Sequence, residues 1–180
     1  MRILQIKKFL PDTLCDNIIA YRTMVNVSSK GANPYYQSKS LPIKLISDRK
    51  IAALVQEIKY TMMYNLRSEY IISDIYPDFS DVVKLSEGDK LDLHADNAYY
   101  PSGKPNYVNH RTFTAMVYLN DDYEGGDLYF ADGSTIRPEK GMAVGFPAGI
   151  EFAHGMREVK RGNRYTVTIW YTDNPTHIEI

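Results

Sequence analysis

The sequence predicts an α+β fold that is mainly β, with helices in the first third and an antiparallel sandwich or barrel after them. Two observations carry this reading. Apolar residues recur at helical spacing up to about residue 70. From about residue 71, short runs rich in Val, Ile, Tyr, Thr and Phe alternate with clusters of Gly, Pro, Asn and Asp. Composition adds a third: fifteen tyrosines among 180 residues suit extended amphipathic surfaces and a polar, aromatic cavity.

The elements follow in order. Pro11 suits the first turn of a helix that carries Leu14, Ile18 and Ile19. The stretch SSKGANPYYQSKSLP, 28–42, reads as loop. Asp48 is an N-cap for a second helix, whose Ile51, Leu54, Val55, Ile58, Met62 and Leu66 form a stripe for packing on a sheet. Candidate strands lie near 71–76, 81–86, 90–96, 111–119, 127–131, 134–137, 142–147, 151–154 and 163–172. The longest loop in this half, NAYYPSGKPNYVNH at 97–110, has a length found in functional or disordered segments. Gly125 and Gly126 read as a turn that needs positive φ, and Cys15 as a packing residue in the first helix.

The length fits one domain over residues 1–180, with supporting helices over about 1–70 and the β core over about 71–175. A net charge of −1 gives no electrostatic case for nucleic acid or an anionic membrane. A single cysteine excludes an internal disulfide. The opening MRILQIKKFLPD is too short in apolar residues for a signal peptide, and no segment approaches the roughly 18 apolar residues of a membrane span. The expectation is a cytoplasmic protein. Oligomeric state is not readable.

Chemistry concentrates on the strands. In LHADN, 93–97, His94 and Asp96 stand two apart, so a strand turns both to one face, together with Asp92. Alone, such a triplet is far more often part of a solvated strand than of a metal site. His154, at the end of another candidate strand, supplies a second imidazole. Two histidines and a carboxylate form the facial arrangement suited to non-haem Fe(II). Ten residues on, RYTVTIWYT puts Tyr165, Val167, Ile169 and Tyr171 on one face and Arg164, Thr166, Thr168 and Trp170 on the other. That second face is either solvent or a barrel interior in which Arg164 grips a carboxylate. RTFTAMVYLN leaves the same choice between Thr114, Met116 and Tyr118 and the opposite face.

HADN, HRTFTAMVYLNDDYEGGDLYF and IRPEKGMAVGFPAGIEFAHGMREVKRGNRYTVTIWYT together resemble the prolyl hydroxylases of the Fe(II)/2-oxoglutarate dioxygenases, of the prolyl 3- and 4-hydroxylase type. KFLPDTLCDNII is similar to the family's opening helix, and about 22–80 matches poorly. The resemblance implies a double-stranded β-helix, a cupin-like jelly-roll barrel, with N-terminal supporting helices. It implies Fe(II) held by His94, Asp96 and His154, and 2-oxoglutarate held by Arg164, Tyr118, Leu128 and Thr166. O2 is the co-substrate and ascorbate a candidate reductant. The implied reaction couples C–H hydroxylation to decarboxylation of 2-oxoglutarate to succinate; the retained carboxylate Asp96 favours hydroxylation over halide transfer. Leu85 stands where some members carry a further cosubstrate-binding tyrosine.

Candidate substrate residues are Asp92, Tyr99, Tyr100, Arg157 and Trp170, with the 97–110 loop as a candidate lid. His110 and His177 read as structural or surface residues. The implied substrate is a prolyl residue in a peptide or protein. The alternatives are a free amino acid or small metabolite and, from another class, a catalytically silent barrel scaffold.

Overall fold

The computed structural model describes residues 2–27 and 34–179. In chain order its elements are β1 (Leu4–Ile6), α1 (Asp12–Met24), β2 (Ser40–Pro42), α2 (Arg49–Tyr70), β3 (Tyr76–Ser86), β4 (Leu91–His94), β5 (Ala98–Tyr99), β6 (Lys104–Pro105), β7 (Arg111–Tyr118), β8 (Glu124–Gly125), β9 (Leu128–Phe130), β10 (Thr135–Ile136), β11 (Ala143–Pro147), β12 (His154–Met156), β13 (Val159–Arg161) and β14 (Asn163–Thr172). A six-stranded sheet runs β1-β11-β7-β14-β3-β2, and a four-stranded sheet runs β10-β9-β12-β4. Every ladder is antiparallel. The sheets remain separate, with no ladder among the described residues closing them into one barrel.

β14 lies at the centre of the larger sheet, and its alternation divides the molecule. Tyr165, Val167, Ile169 and Tyr171 join Val82, Ala115, Val117 and Ala143 in a core with Ile18 of α1 and Val55, Ile58, Met62 and Leu66 of α2. Asp48 caps α2, accepting from the Lys50 and Ile51 amides. The helix seats on Gly145 of β11, where an added Cβ would lie 2.8 Å from Leu66 Cδ2. The other face of the sheet turns toward the smaller sheet. There Met116, Tyr118, Leu128, Phe130, Val144, Phe146 and Phe152 form a second core. The face left open between solvent and interior is therefore interior for Thr114, Met116 and Tyr118, and for Arg164, Thr166, Thr168 and Trp170.

Both predicted helices are present, and Cys15 is buried, its thiol pushed up to about 11 by burial. The first third is not helical throughout, because β1 and β2 form the edges of the larger sheet. Of the predicted loop, 28–33 lies outside the described residues; the rest holds a 3₁₀ turn at Pro34–Tyr36 and β2. The strand expected at 71–76 is absent. α2 runs to Tyr70, Ile71 ends it in the left-handed conformation (φ 55), and its N–H returns to Arg67 O. β3 then runs unbroken through the predicted 81–86 segment. At 151–154 a 3₁₀ turn, Ile150–Phe152, precedes β12, because the Phe152 and Ala153 amides bond to Gly149 and Ile150 carbonyls. Gly125 and Gly126 do have positive φ, 76° and 68°. Among the described residues no helix is long and apolar enough to cross a membrane.

Candidate active site

A cleft lies between the two sheets. His94 at the end of β4 and His154 at the start of β12 are direct cross-strand partners, with ring centroids 4.6 Å apart. Asp96 lies beyond the end of β4, where the Asp96 and Asn97 amides donate to Ala148 O instead of continuing the ladder. Its Oδ1 is 3.8 Å from His94 Nε2, and its Oδ2 is 3.8 Å from His154 Nε2. One ligand atom from each of the three falls within 4.8 Å of the others.

Backbone carbonyls set which nitrogen each imidazole presents. His94 Nδ1 donates to Asp92 O at 2.8 Å, and His154 Nδ1 to Phe152 O at 3.0 Å. The lone pair of each ring is thereby placed on Nε2, facing Asp96. Burial pushes the His154 imidazole down to about 4, against the pull of Asp96. Burial would raise the Asp96 carboxyl, but His154, His94, the Thr114 hydroxyl and the Trp170 indole together hold it below the ordinary range. Near neutral pH the group thus offers a neutral buried imidazole and a carboxylate. The Thr114 hydroxyl donates to Asp96 Oδ2, and Asn106 Nδ2 donates to Asp96 O at 3.0 Å. Two neutral nitrogens and one anionic oxygen on one side of an open cleft fit a divalent metal of the iron type.

The arginine end is built differently. Arg164, on β14 opposite Leu85 of β3, is 3% exposed and lines the cleft. Its Nε has no hydrogen-bond partner, and no carboxylate pairs with it among the described residues. Its guanidinium lies 4.9 Å from the Tyr118 ring centroid. Leu128 and Thr166 line the same cleft, and Leu128, Val83, Leu85, Met116 and Met156 give it apolar walls. A buried, unpaired arginine fits an anion brought from outside the chain, such as the distal carboxylate of 2-oxoglutarate.

The substrate candidates separate. Trp170 lines the cleft, and its buried indole N–H is turned toward Asp96 without a hydrogen bond of ordinary geometry among the described residues. Tyr99 and Tyr100 stand exposed on and beside the β5–β6 hairpin, which fills much of the 97–110 loop. Arg157 is exposed and lies over the Tyr129 ring at 5.0 Å, outside the cleft lining. Asp92 does not share the face of His94. Between the pairs His94–His154 and Leu91–Met156, β4 carries one residue more than β12. This bulge turns both Leu91 and His94 into the cleft and leaves the Asp92 side chain 92% exposed. Asp92 contributes its carbonyl instead.

A second grouping, Asp78, His110 and His177, is of a different kind. The two imidazoles stack at 3.7 Å and 8°, Asp78 Oδ1 lies 3.2 Å from His110 Nε2, and Arg111 Nε donates to Asp78 Oδ2 at 2.8 Å. The cleft also has walls the sequence reading did not assign. Thr114 and Thr168 share faces with Tyr118 and Arg164, which was a usable signal. Tyr36 comes from the predicted loop, and nothing in its surroundings marked it.

A double-stranded β-helix backed by helices, with two histidines and an aspartate between its sheets, is the architecture of metal-dependent oxygenases. The chain belongs to the 2OG-Fe(II) oxygenase superfamily, whose model matches residues 80–172, just over half of it. It is 37% identical over 97 residues to prolyl 3-hydroxylase 1 of Rattus norvegicus, covering 51% of this chain and 13% of that one. It is 34% identical over 99 residues to prolyl 3-hydroxylase 3 of Homo sapiens, covering 48% and 14%. The chain thus spans only a small part of the length of these relatives. The fold is shared with the viral collagen prolyl hydroxylase of Paramecium bursaria Chlorella virus-1, in complex with 2OG (TM-score 0.70, 21% identity, 96% of each chain). It is also shared with a Pseudomonas putida prolyl-4-hydroxylase (TM-score 0.68, 18% identity, 94% and 91%). A third is a Trichoplax adhaerens prolyl hydroxylase bound to a hypoxia inducible factor peptide (TM-score 0.69, 18% identity, 95% and 83%).

Proposed function

We propose that the chain is an Fe(II)- and 2-oxoglutarate-dependent hydroxylase of prolyl residues in a peptide or protein. The observation that carries this is the pairing, in one cleft, of the His94–Asp96–His154 group with a buried Arg164 that has no anionic partner within the described chain. The curated relatives it matches are prolyl 3-hydroxylases. Exposed Tyr99, Tyr100 and Tyr107 on the 97–110 segment favour an extended peptide over a small enclosed metabolite.

Bound iron and 2-oxoglutarate would supply the oxidising power for C–H hydroxylation, with succinate as co-product. The residues do the positioning. His94 and His154 present Nε2 because their Nδ1 protons are held by carbonyls, and Asp96 supplies the anionic third ligand, held by Thr114. Arg164 and Tyr118 orient the cosubstrate by its distal carboxylate, with Thr166 beside them. Leu128 and the neighbouring apolar side chains exclude water around it. Trp170 lies against Asp96 on the substrate side, and Tyr99 and Tyr100 cover the approach.

The test is an anaerobic titration with Fe(II) and 2-oxoglutarate, followed by oxygen and ascorbate with proline-containing peptides or free proline. A metal-to-ligand charge-transfer band, succinate, and the gain of one oxygen atom on the peptide are expected. His94→Ala, Asp96→Ala and His154→Ala should each abolish turnover; undiminished turnover in any of them sinks that ligand assignment. Oxygen gain on free proline alone would transfer the reading to small amino acids. A protein that shows no band and forms no succinate is a silent scaffold.

A further inference from the structure

Hydrogen-bond accounting at the arginine end of the cleft points to a residue that the sequence reading did not assign. This inference rests on the 2-oxoglutarate reading above. Tyr123 is 4% exposed, and its buried hydroxyl faces the Arg164 guanidinium, with no acceptor for its own proton among the described residues. Arg164 Nε is in the same condition. The Tyr118 hydroxyl reaches only Met116 Sδ, at 4.0 Å. Leu85, the cross-strand neighbour of Arg164 on the same sheet, has a side chain that offers neither donor nor acceptor. Buried polar groups are paired as a rule, so two donors without an acceptor, beside a third held only by a thioether, mark the place of an anion that the chain does not supply. Burial pushes the Tyr123 phenol up to about 12 and raises Tyr118 as well, which keeps both protonated as donors near neutral pH.

The position of Tyr123 is fixed by its surroundings. A Cβ added at Gly126 would lie 2.9 Å from Tyr123 Cε2 and 3.2 Å from Arg164 Cδ, so the ring and the arginine stem press side by side on that glycine. Arg137 Nη2 donates to Tyr123 O at 2.9 Å, and its guanidinium lies 5.5 Å from the ring centroid. The same guanidinium donates through Nη1 to Gly125 O at 2.7 Å and Asp127 Oδ1 at 2.9 Å. The segment 123–127 is thereby fastened, and the phenol is held beside Arg164 without a mobile loop having to close.

We propose that Tyr123 is a third donor to the distal carboxylate of 2-oxoglutarate, beside Arg164 and Tyr118, and so a determinant of selectivity for dicarboxylic 2-oxo acids. Tyr123→Phe removes the hydroxyl and keeps the ring against Gly126 and Arg137. The measurement is the dissociation constant of 2-oxoglutarate for the iron-loaded full chain under anaerobic conditions, read from the charge-transfer band. 2-Oxobutanoate, which has the same chelating head and no distal carboxylate, is titrated in parallel.

The expected result is 2-oxoglutarate binding weakened about tenfold, as for a lost hydrogen bond to a charged group, with 2-oxobutanoate unchanged. Unchanged 2-oxoglutarate affinity in Tyr123→Phe overturns the proposal and leaves the function standing. An equal loss for both acids also overturns it, since the hydroxyl would then support the site as a whole. If the unmodified chain gives no band with 2-oxoglutarate, the functional reading fails first and this inference with it.

Discussion

Asp81 should make this protein less stable as the pH rises from about 4 to about 7, and Asp81→Asn should remove that loss. The Asp81 side chain is on the inward face of β3, with Val83 and Leu85, and the residue is 3% exposed. Ser40 Oγ donates to Oδ2, while Oδ1 has no partner. Burial pushes the carboxyl from its ordinary 3.8 to about 7, with Glu179 acting in the same direction and Ser40, Arg111 and Arg22 opposing. A carboxyl whose folded pKa is raised binds its proton more tightly in the folded state. Stability is therefore full below about pH 4 and falls as the pH rises toward about 7, after which it is level. At about 1.4 kcal/mol per pH unit, the displacement from 3.8 to about 7 amounts to about 4 kcal/mol. Asparagine is nearly isosteric and does not titrate. Urea unfolding of both proteins at intervals from about pH 4 to pH 8.5 isolates this group, because every other titration cancels in the difference. The advantage of Asp81→Asn should grow with pH by up to about 4 kcal/mol. A difference that stays constant with pH, or that shrinks as pH rises, would refute the argument.

Two further outcomes follow from packing. In Gly125→Ala the new Cβ would stand 2.1 Å from Glu158 O at a φ of 76°, so about 3 kcal/mol or more of stability should be lost. Gly88→Ala, at φ 85° with nothing within 4 Å, should lose only about 1–2 kcal/mol for the left-handed backbone; equal thermal or urea stability of the two variants would contradict this. Lys59 is fully buried and pairs with Glu179 at 3.0 Å, while Glu179 also accepts from Ser80 Oγ at 2.5 Å. Lys59→Ala should lose about 3 kcal/mol by leaving Glu179 without its cation, and Lys59→Met with Glu179→Met should recover most of it; a double variant no more stable than Lys59→Ala would count against this.

Most of the site was legible because it lies on regular strands. The facing of Arg164 follows from period-two alternation along β14, whereas His154 was placed by its flanking motif, since the strand expected before it is a 3₁₀ turn. Asp92 was misplaced because alternation assumes an unbroken ladder, and one extra residue in β4 reverses the facing of everything before it. Asp96 reaches the triad by leaving the strand, not by continuing it. The apparent strand at 71–76 came from β-branched residues that in fact terminate α2, where the left-handed Ile71 lets the last turn close on Arg67. Tyr36 and Tyr123 were missed for a different reason. Each acts through its position beside residues distant in sequence, and neither belongs to a periodic pattern.

The division of labour along β14 accounts for the combination of a rigid frame with an unsatisfied interior. Its odd-numbered residues are buried against two helices, where only apolar contact is required. That packing fixes the strand, and the fixed strand in turn fixes Arg164, Thr166, Thr168 and Trp170 on its inner face. A buried donor left without a well-formed hydrogen bond, such as Arg164 Nε or the Trp170 indole N–H, lowers stability by about 1–3 kcal/mol. Such groups persist only when the surrounding fold has stability to spare, and the helix-facing core of β14 is where this chain gains it. The same reasoning explains why the orphaned donors of β14, Arg164 Nε and Trp170 Nε1, lie on its face turned away from the helices. On the helix side they would meet only hydrocarbon, whereas between the sheets a cosubstrate carboxylate can satisfy Arg164 and a metal can occupy the site framed by Asp96 and the two imidazoles. On the proposed function, the unsatisfied groups of this cleft are the complement of ligands with matching charge.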